Sequence, residues 1–282
     1  MILRFIKADS DNPEPFYMAV YEATNAQYRL FLEKTSAKKQ NTVGGIDTLF
    51  KDQSDNVLIR SPSPIYEDPV RACKVGWDGK RFNITQGSDD IPVTWVTYSG
   101  AQSYAKWLGG QLPTASQHKY ACMANTDNKY FWGNNLSEIT IYAHVRGDYW
   151  RAAADDYNKA IVNAEINTKD LGSLIYIAPA PMGAKPENFK SQTTRLVLTE
   201  VVHQEKAYGS VWPVDHAEST NDWGLYDMIG NVWEWCQDGT WSVICGSSCL
   251  APPEYVTDPS NYSVEFNRTA CDVGFRVVVP AR

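Results

Sequence analysis

The apolar positions change period several times along the chain. Over residues 16–35 the first half alternates apolar and polar positions, as a half-buried strand does. The second half repeats Tyr28, Phe31 and Leu32 at i, i+3, i+4, with Thr24 placed to cap the helix this predicts. Residues 36–90 carry Gly, Asn, Asp, Ser and Pro at many positions and read as loop with short strands. A second helix is expected over 99–108, with Ser99 as cap, Ala101, Tyr104, Ala105 and Leu108 on its apolar side, and Gly109-Gly110 as its stop. A third follows Pro113, from Thr114 to about Ala124. Residues 136–206 are more polar and richer in Lys, and carry no recognisable motif. Residues 223–282 are dominated by Trp, Gly, Cys, Asn and β-branched residues, which predicts short strands joined by long ordered loops.

Composition removes several classes. The 282 residues carry 26 Lys and Arg against 33 Asp and Glu, a net charge of −7, which argues against non-specific nucleic-acid binding, since that needs a basic surface. The longest apolar runs fall well short of the ~20 residues of a membrane helix. The first residues lack the apolar centre and cleavage site of a signal peptide. The default expectation is therefore cytoplasmic, with cell-surface or virion display left open. Ten Trp and sixteen Tyr are a heavy aromatic load, suited to irregular backbone pinned by large rings and to binding surfaces. The six cysteines include Cys245-Gly-Ser-Ser-Cys249, whose C-x3-C spacing is wrong for a zinc knuckle; these read as thiols or a structural pair.

Six stretches, in order, resemble one family, the formylglycine-generating-enzyme/sulfatase-modifying-factor domain. They are Tyr21-Glu-Ala-Thr-Asn-Ala-Gln-Tyr28; Pro92-Val-Thr-Trp-Val96 with Ala101–Leu108; Leu112-Pro-Thr114 with Tyr120-Ala121; Phe131-Trp-Gly-Asn134; Asn221-Asp-Trp-Gly-Leu-Tyr-Asp-Met-Ile-Gly-Asn-Val-Trp-Glu-Trp235; and Gly274-Phe-Arg-Val-Val278. The resemblance implies one α+β domain over 1–282 with a C-type lectin-like fold: two packed helices, small twisted sheets and much irregular loop. The stretch 136–206 would be an insertion. Relatives place a calcium near the Gly230-Asn-Val-Trp-Glu-Trp segment, which makes Asn231, the Val232 carbonyl and Glu234 candidate hard-oxygen ligands. The same segment also reads as scaffold, with Gly supplying a turn and the Trp rings pinning one face.

The founding enzymes of that family oxidise a sulfatase cysteine with two copper-binding thiols, in a site resembling R-G-G-S-x-x-C followed by a second cysteine. The aligned stretch here is Ile244-Cys-Gly-Ser-Ser-Cys249. Cys249 falls near the first catalytic cysteine, but Leu250–Tyr255 holds no second one, and no arginine follows until Arg268. Two thiols at C-x3-C still suit Cu(I), so a copper-dependent oxidase remains the alternative. The sulfur-transferring iron branch needs His-x3-His-x-Glu, a spacing that His118, His144, His203 and His216 do not make. His118 itself reads as a packed or capping residue.

Another branch of the fold fits better: the variable proteins of diversity-generating retroelements, which end in G-F-R-V after a hypervariable stretch. Adenine-directed variation of Asn codons never yields Lys, Glu, Gln, Met or Trp. In the 29 residues 244–272 only Glu254 and Glu265 are of those types, against about 5 expected from their share of the chain. The expected function is therefore a non-enzymatic binder whose variable region, 241–272, meets protein or surface-glycan ligands. A fixed-specificity relative is the plainer version. The expected contacts are Trp241, Ser247, Ser248, Leu250, Pro252, Tyr255, Asp258, Tyr262, Phe266 and Arg268, the rings and Arg as anchors and the small polar residues as adaptable hydrogen-bonding groups. No cofactor is required on this reading; calcium is the ion the resemblance brings in. No nucleic-acid partner and no membrane insertion are expected.

Overall fold

The structure is a computed structural model of the chain, and it describes residues 1–9, 14–41, 47–62, 71–145, 211–214, 219–251, 253, 256, 262–263 and 269–281. In chain order the elements are β1 (Leu3–Ile6), β2 (Phe16–Ala19), α1 (Asn25–Lys34), β3 (Lys38–Asn41), β4 (Asp47–Lys51), β5 (Val57–Pro62), β6 (Val75–Trp77) and β7 (Phe82–Ile84). Next come α2 (Tyr98–Trp107), α3 (Ala115–Met123), a 3-10 turn (Leu136–Glu138) and the single-turn α4 (Ile139–Tyr142). The last described strands are β8 (Trp233–Asp238), β9 (Trp241–Cys245), β10 (Tyr262–Ser263), β11 (Val273–Gly274) and β12 (Val278–Pro280). The described residues all belong to one unit, Met1–Gly147 with Tyr208–Arg282.

One sheet joins strands near the two ends of the chain, and a second is built within residues 233–274. In the first, β2 lies between β1 and β12, antiparallel to both, with Met18 opposite Val278. In the second the order is β10-β9-β8-β11. The β8–β9 hairpin puts Glu234 opposite Cys245, and β11 runs parallel to β8 with Val273 opposite Trp233. A three-stranded sheet, β3-β4-β5, and the β6–β7 hairpin supply the short strands expected within 36–90.

The helices form where their caps and apolar spacing agree. Thr24 accepts from the Gln27 N–H at 3.3 Å, and the Gln27 side chain reaches back to the Thr24 N–H, a complete capping box. The same device starts α3 with Thr114 and Gln117. The cap of α2 is Thr97, two residues before the expected Ser99. Thr97 is extended and its hydroxyl accepts from the Gly100 N–H at 2.9 Å while also reaching the Val57 carbonyl, so it ties the helix to β5. Starting there also puts Tyr98 on the buried side, edge-on to Trp235 at 5.7 Å.

The side chains between α1 and α2 show why the aromatic load is needed. Tyr28, Phe31, Tyr104 and Phe275 pack ring to ring at 5.2 to 5.9 Å, all buried. Each such ring contributes about 2–3 kcal/mol by leaving water. The second core holds Phe16, Met18, Cys122, Leu225, Met228 and Val278. Ile139, Ala143 and Val145 are part of it. Residues 136–145 therefore belong to the scaffold, and the expected insertion begins too early in the sequence; its remainder lies outside the described residues. Among the described residues, no helix is long and apolar enough to cross a membrane.

Candidate functional site

The Gly230–Trp235 segment is the hub from which the candidate contact region leaves. Gly230 (φ +90°) and Asn231 (φ +57°) turn the chain into β8. The Asn231 side chain is spent on the fold. Its Oδ1 accepts from the Trp212 N–H at 2.8 Å, and its Nδ2 donates to Glu22 Oε1 at 3.1 Å and to the Trp212 carbonyl at 3.3 Å. Trp235 is buried and donates its ring N–H to the Val96 carbonyl at 3.0 Å.

Glu234 is held by Arg276, the arginine of the terminal Gly274-Phe-Arg-Val motif. Arg276 is 0% exposed and grips the carboxylate through both oxygens, Nε to Oε2 at 2.7 Å and Nη2 to Oε1 at 2.6 Å. Its remaining donors reach the carbonyls of Ala19 and Val20 at 3.2 Å and of Tyr226 at 2.8 Å. His118 Nε2 stands 3.2 Å from Glu234 Oε2. A calcium ion at Asn231, Val232 and Glu234 would have to displace Arg276 from its own carboxylate. The three residues do not fit as a calcium set, and among the described residues no group of three His, Cys, Asp or Glu side chains is placed to hold a metal.

Two carboxyls of this buried centre shift in opposite directions. Burial by itself would push Glu234 up, but Arg276 and then His118 overcome it and hold the group at about 2. Burial, followed by the charge of Asp227, pushes Glu22 well above the ordinary carboxylate range, and its Oε2 has no hydrogen-bond donor. The contribution of Glu234 is fully present above pH 4.5 and is lost as pH falls from there towards 2. That of Glu22 runs the other way: the fold favours its protonated form, so stability declines as pH rises above 4.5. Glu22→Gln keeps the neutral shape. Its stability relative to wild type should therefore grow between pH 4 and pH 8, as read from denaturant midpoints. A difference that stays flat across that range would mean Glu22 carries no extra proton.

From this hub the chain runs through β9 into residues 246–251. Trp241, at the start of β9, is 68% exposed. The next expected contacts turn inward. Ser247 is 3% exposed at φ +84°, and Ser248 is 0% exposed, donating from Oγ to Asp272 Oδ2 at 2.6 Å. Neither is a surface contact; both lie in the interior, where a tight left-handed turn and the Asp272 carboxylate hold them. Leu250 is half-buried. Tyr262 pairs in β10 with Ile244 through its backbone. Pro252, Tyr255, Asp258, Phe266 and Arg268 lie outside the described residues. The structure thus brings Ser247, Ser248 and Leu250 together at the root of the region and sets Trp241 apart, at the hairpin tip.

The C-x3-C thiols are both buried. Cys245 packs in a small buried cluster with Ala115, Cys236 and Val243. Cys249 is buried, its N–H donating to the Asn231 carbonyl at 3.0 Å. Burial, then the charge of Asp272 and the neighbouring Cys271, pushes the Cys249 thiol well up. Burial and a hydrogen bond with Cys245 do the same to Cys236. Sequence reading missed Asp272, Arg276, Glu22 and Asp227. Arg276 carried a signal: an arginine inside the apolar run Val273–Val279 demands a buried carboxylate partner.

The sulfatase-modifying factor enzyme 1-like domain family matches residues 8–281. The formylglycine-generating enzyme of Bos taurus is 24% identical over 256 residues, 84% of this chain and 54% of that protein. A relative from the same species named as an inactive C-alpha-formylglycine-generating enzyme 2 is 24% identical, over 79% of this chain and 59% of its own length. The chain thus spans a little over half the length of these curated relatives, which include both a named enzyme and a named inactive protein. Among solved structures, PvdO from Pseudomonas aeruginosa superposes with a TM-score of 0.53 at 18% identity, covering 99% of this chain and 91% of its own. The fold is the C-type lectin-like α+β arrangement, and the chain belongs to the sulfatase-modifying factor enzyme 1-like domain family.

Proposed function

We propose that this chain is a binding protein that performs no copper or oxygen chemistry at its C-x3-C thiols and presents the 241–272 region to protein or glycan ligands, with contact positions diversified by a retroelement. The observation that carries this reading is the condition of the thiols. Copper and oxygen chemistry at two cysteines needs accessible thiolates that converge. Cys245 is enclosed with Cys236 and Val243, and Cys249 is buried with its thiol pushed up. The exposed ring of Trp241 supplies a contact anchor at the hairpin tip. On this reading the burial of Ser247, Ser248 and Cys249 divides the region into fixed struts and displayed positions.

The test is the 3′ end of the gene, sequenced in many copies from its source population with the flanking few kilobases. The expected result is substitution concentrated between codons 250 and 268, traceable to adenines in a nearby near-repeat beside a reverse transcriptase, and sparing codons 245–249 and 269–278. An invariant 3′ end with no repeat removes the diversified reading. The oxidase reading, which the name of the Bos taurus relative favours, predicts Cu(I) binding and oxygen consumption with a cysteine-containing peptide, both abolished by Cys249→Ser.

A further inference from the structure

The two ends of the 249–271 stretch meet at one place. Ser248, just before it, and Asp272, just after it, are joined side chain to side chain at 2.6 Å. Both ends are also sewn to the same few residues entering β8. The Cys249 N–H donates to the Asn231 carbonyl at 3.0 Å, and the Trp233 N–H donates to the Asp272 carbonyl at 2.8 Å. Residues 231 and 233 are two positions apart in the chain and so lie within about 7 Å of each other, which sets the two chain ends side by side. The Leu250 N–H donates to Ser248 Oγ at 3.2 Å, and the Trp95 N–H to the Ala270 carbonyl at 3.0 Å, fixing the flanks. One step inward from the Ser248–Asp272 contact, the chain carries a cysteine on each side.

We infer that Cys249 and Cys271 are a redox pair, which glutathione disulfide closes into a bond that staples the base of the 249–271 stretch. Cys249 is buried and Cys271 half-buried, and both are thiols in this structure. The exposure of Cys271 sets the order of events. Its thiolate attacks the disulfide of oxidised glutathione, forming a mixed disulfide and releasing one glutathione thiolate. Cys249 then loses its proton to water, and its sulfur attacks the Cys271 sulfur, expelling the second glutathione. Two protein thiols are oxidised and one glutathione disulfide is reduced to two thiols. Burial and the charges of Asp272 and Cys271 raise the Cys249 thiol, which makes the second step the slow one.

The bond closes a stretch that the unfolded chain otherwise leaves open, so it stabilises mainly by restricting the unfolded state. It also fixes the two ends from which the candidate contact region hangs, whether or not that region is diversified. The pair stands apart from the binding reading, because bond formation is read without any ligand.

The experiment equilibrates the full chain in glutathione buffers from fully reduced to strongly oxidised, traps thiols by alkylation and maps the non-reduced peptides by mass spectrometry. The expected result is a peptide linking Cys249 to Cys271 whose share grows with oxidised glutathione, and a melting temperature about 5–10 °C higher than that of the reduced chain. Cys271→Ser should lose the link and melt with the reduced wild type. Because that side chain is half-buried, the variant keeps the test sound even if Cys249→Ser fails to fold. Separate alkylation of both thiols at the most oxidising poise overturns the proposal. A link that joins either one to a different cysteine, Cys236 or Cys245 included, overturns it equally.

Discussion

Arg276→Met should cost about 3–5 kcal/mol of stability, enough to leave a marginal chain largely unfolded at physiological temperature. Arg276 has no exposure and directs its donors at the Glu234 carboxylate and three main-chain carbonyls. Removing it leaves Glu234 buried beside Glu22 and Asp227, all three acidic. Glu234 would then lose the charge that holds it at about 2, and burial would force it to take up a proton. Lysine is no substitute, because a single ammonium cannot reproduce the two-oxygen grip. The double variant Arg276→Met, Glu234→Leu should recover part of the loss, since an apolar pair removes both buried charges together. Recovery stays partial because the carbonyls of Ala19, Val20 and Tyr226 still lose their donor. Denaturant midpoints at constant slope would measure all three proteins. A single variant within about 1 kcal/mol of wild type would show that Arg276 is not the keystone of this centre.

The local features of the chain were legible where neighbouring residues decide them. Tyr28, Phe31 and Leu32 announce α1 because the helical period itself carries them to one buried side. The start of α2 was missed by two residues for a long-range reason. Thr97 and Ser99 are both good caps, and the choice falls to Thr97 because its hydroxyl also meets β5, some forty residues earlier. The place of residues 136–145 in the scaffold was missed because Ile139, Ala143 and Val145 join a core around Leu225 and Ile229, 80 or more residues further on, which local sequence does not show. The candidate contacts divide in the same way. Trp241 follows a tight turn after Asp238 and stays on the outside, as a hairpin tip does. Ser247 and Ser248 have the composition of an exposed loop, yet a carboxylate 24 residues further on draws Ser248 inside. Glu234 looked like a calcium ligand because sequence shows its oxygens but not the arginine 42 residues later that takes them.

The other large effect is expected at Gly230, where an added Cβ meets both a strained backbone and a steric overlap. Gly230 has φ +90°, a backbone conformation in which a Cβ is strained. It also lies against the backbone of His144: a Cβ there would stand 2.6 Å from the carbonyl oxygen, 2.8 Å from the nitrogen and 2.9 Å from the carbonyl carbon. None of these atoms can swing aside as a flexible side chain would. The same point joins three segments, since the Gly230 N–H donates to the Gly246 carbonyl at 3.1 Å and the Asn231 N–H to the His144 carbonyl at 2.8 Å. Gly230→Ala should therefore cost roughly 3 kcal/mol or more and loosen the Gly246–Cys249 turn at the root of the contact region. Gly239 supplies the control. It too has positive φ, +57°, but a Cβ there meets nothing within 4 Å. Gly239→Ala should cost only about 1 kcal/mol, the conformational part alone. The gap between the two variants, read from denaturant midpoints, measures the close approach to His144 together with the added strain of φ +90° over φ +57°. Equal losses at the two sites would mean that the backbone contact contributes nothing and that φ alone explains both glycines.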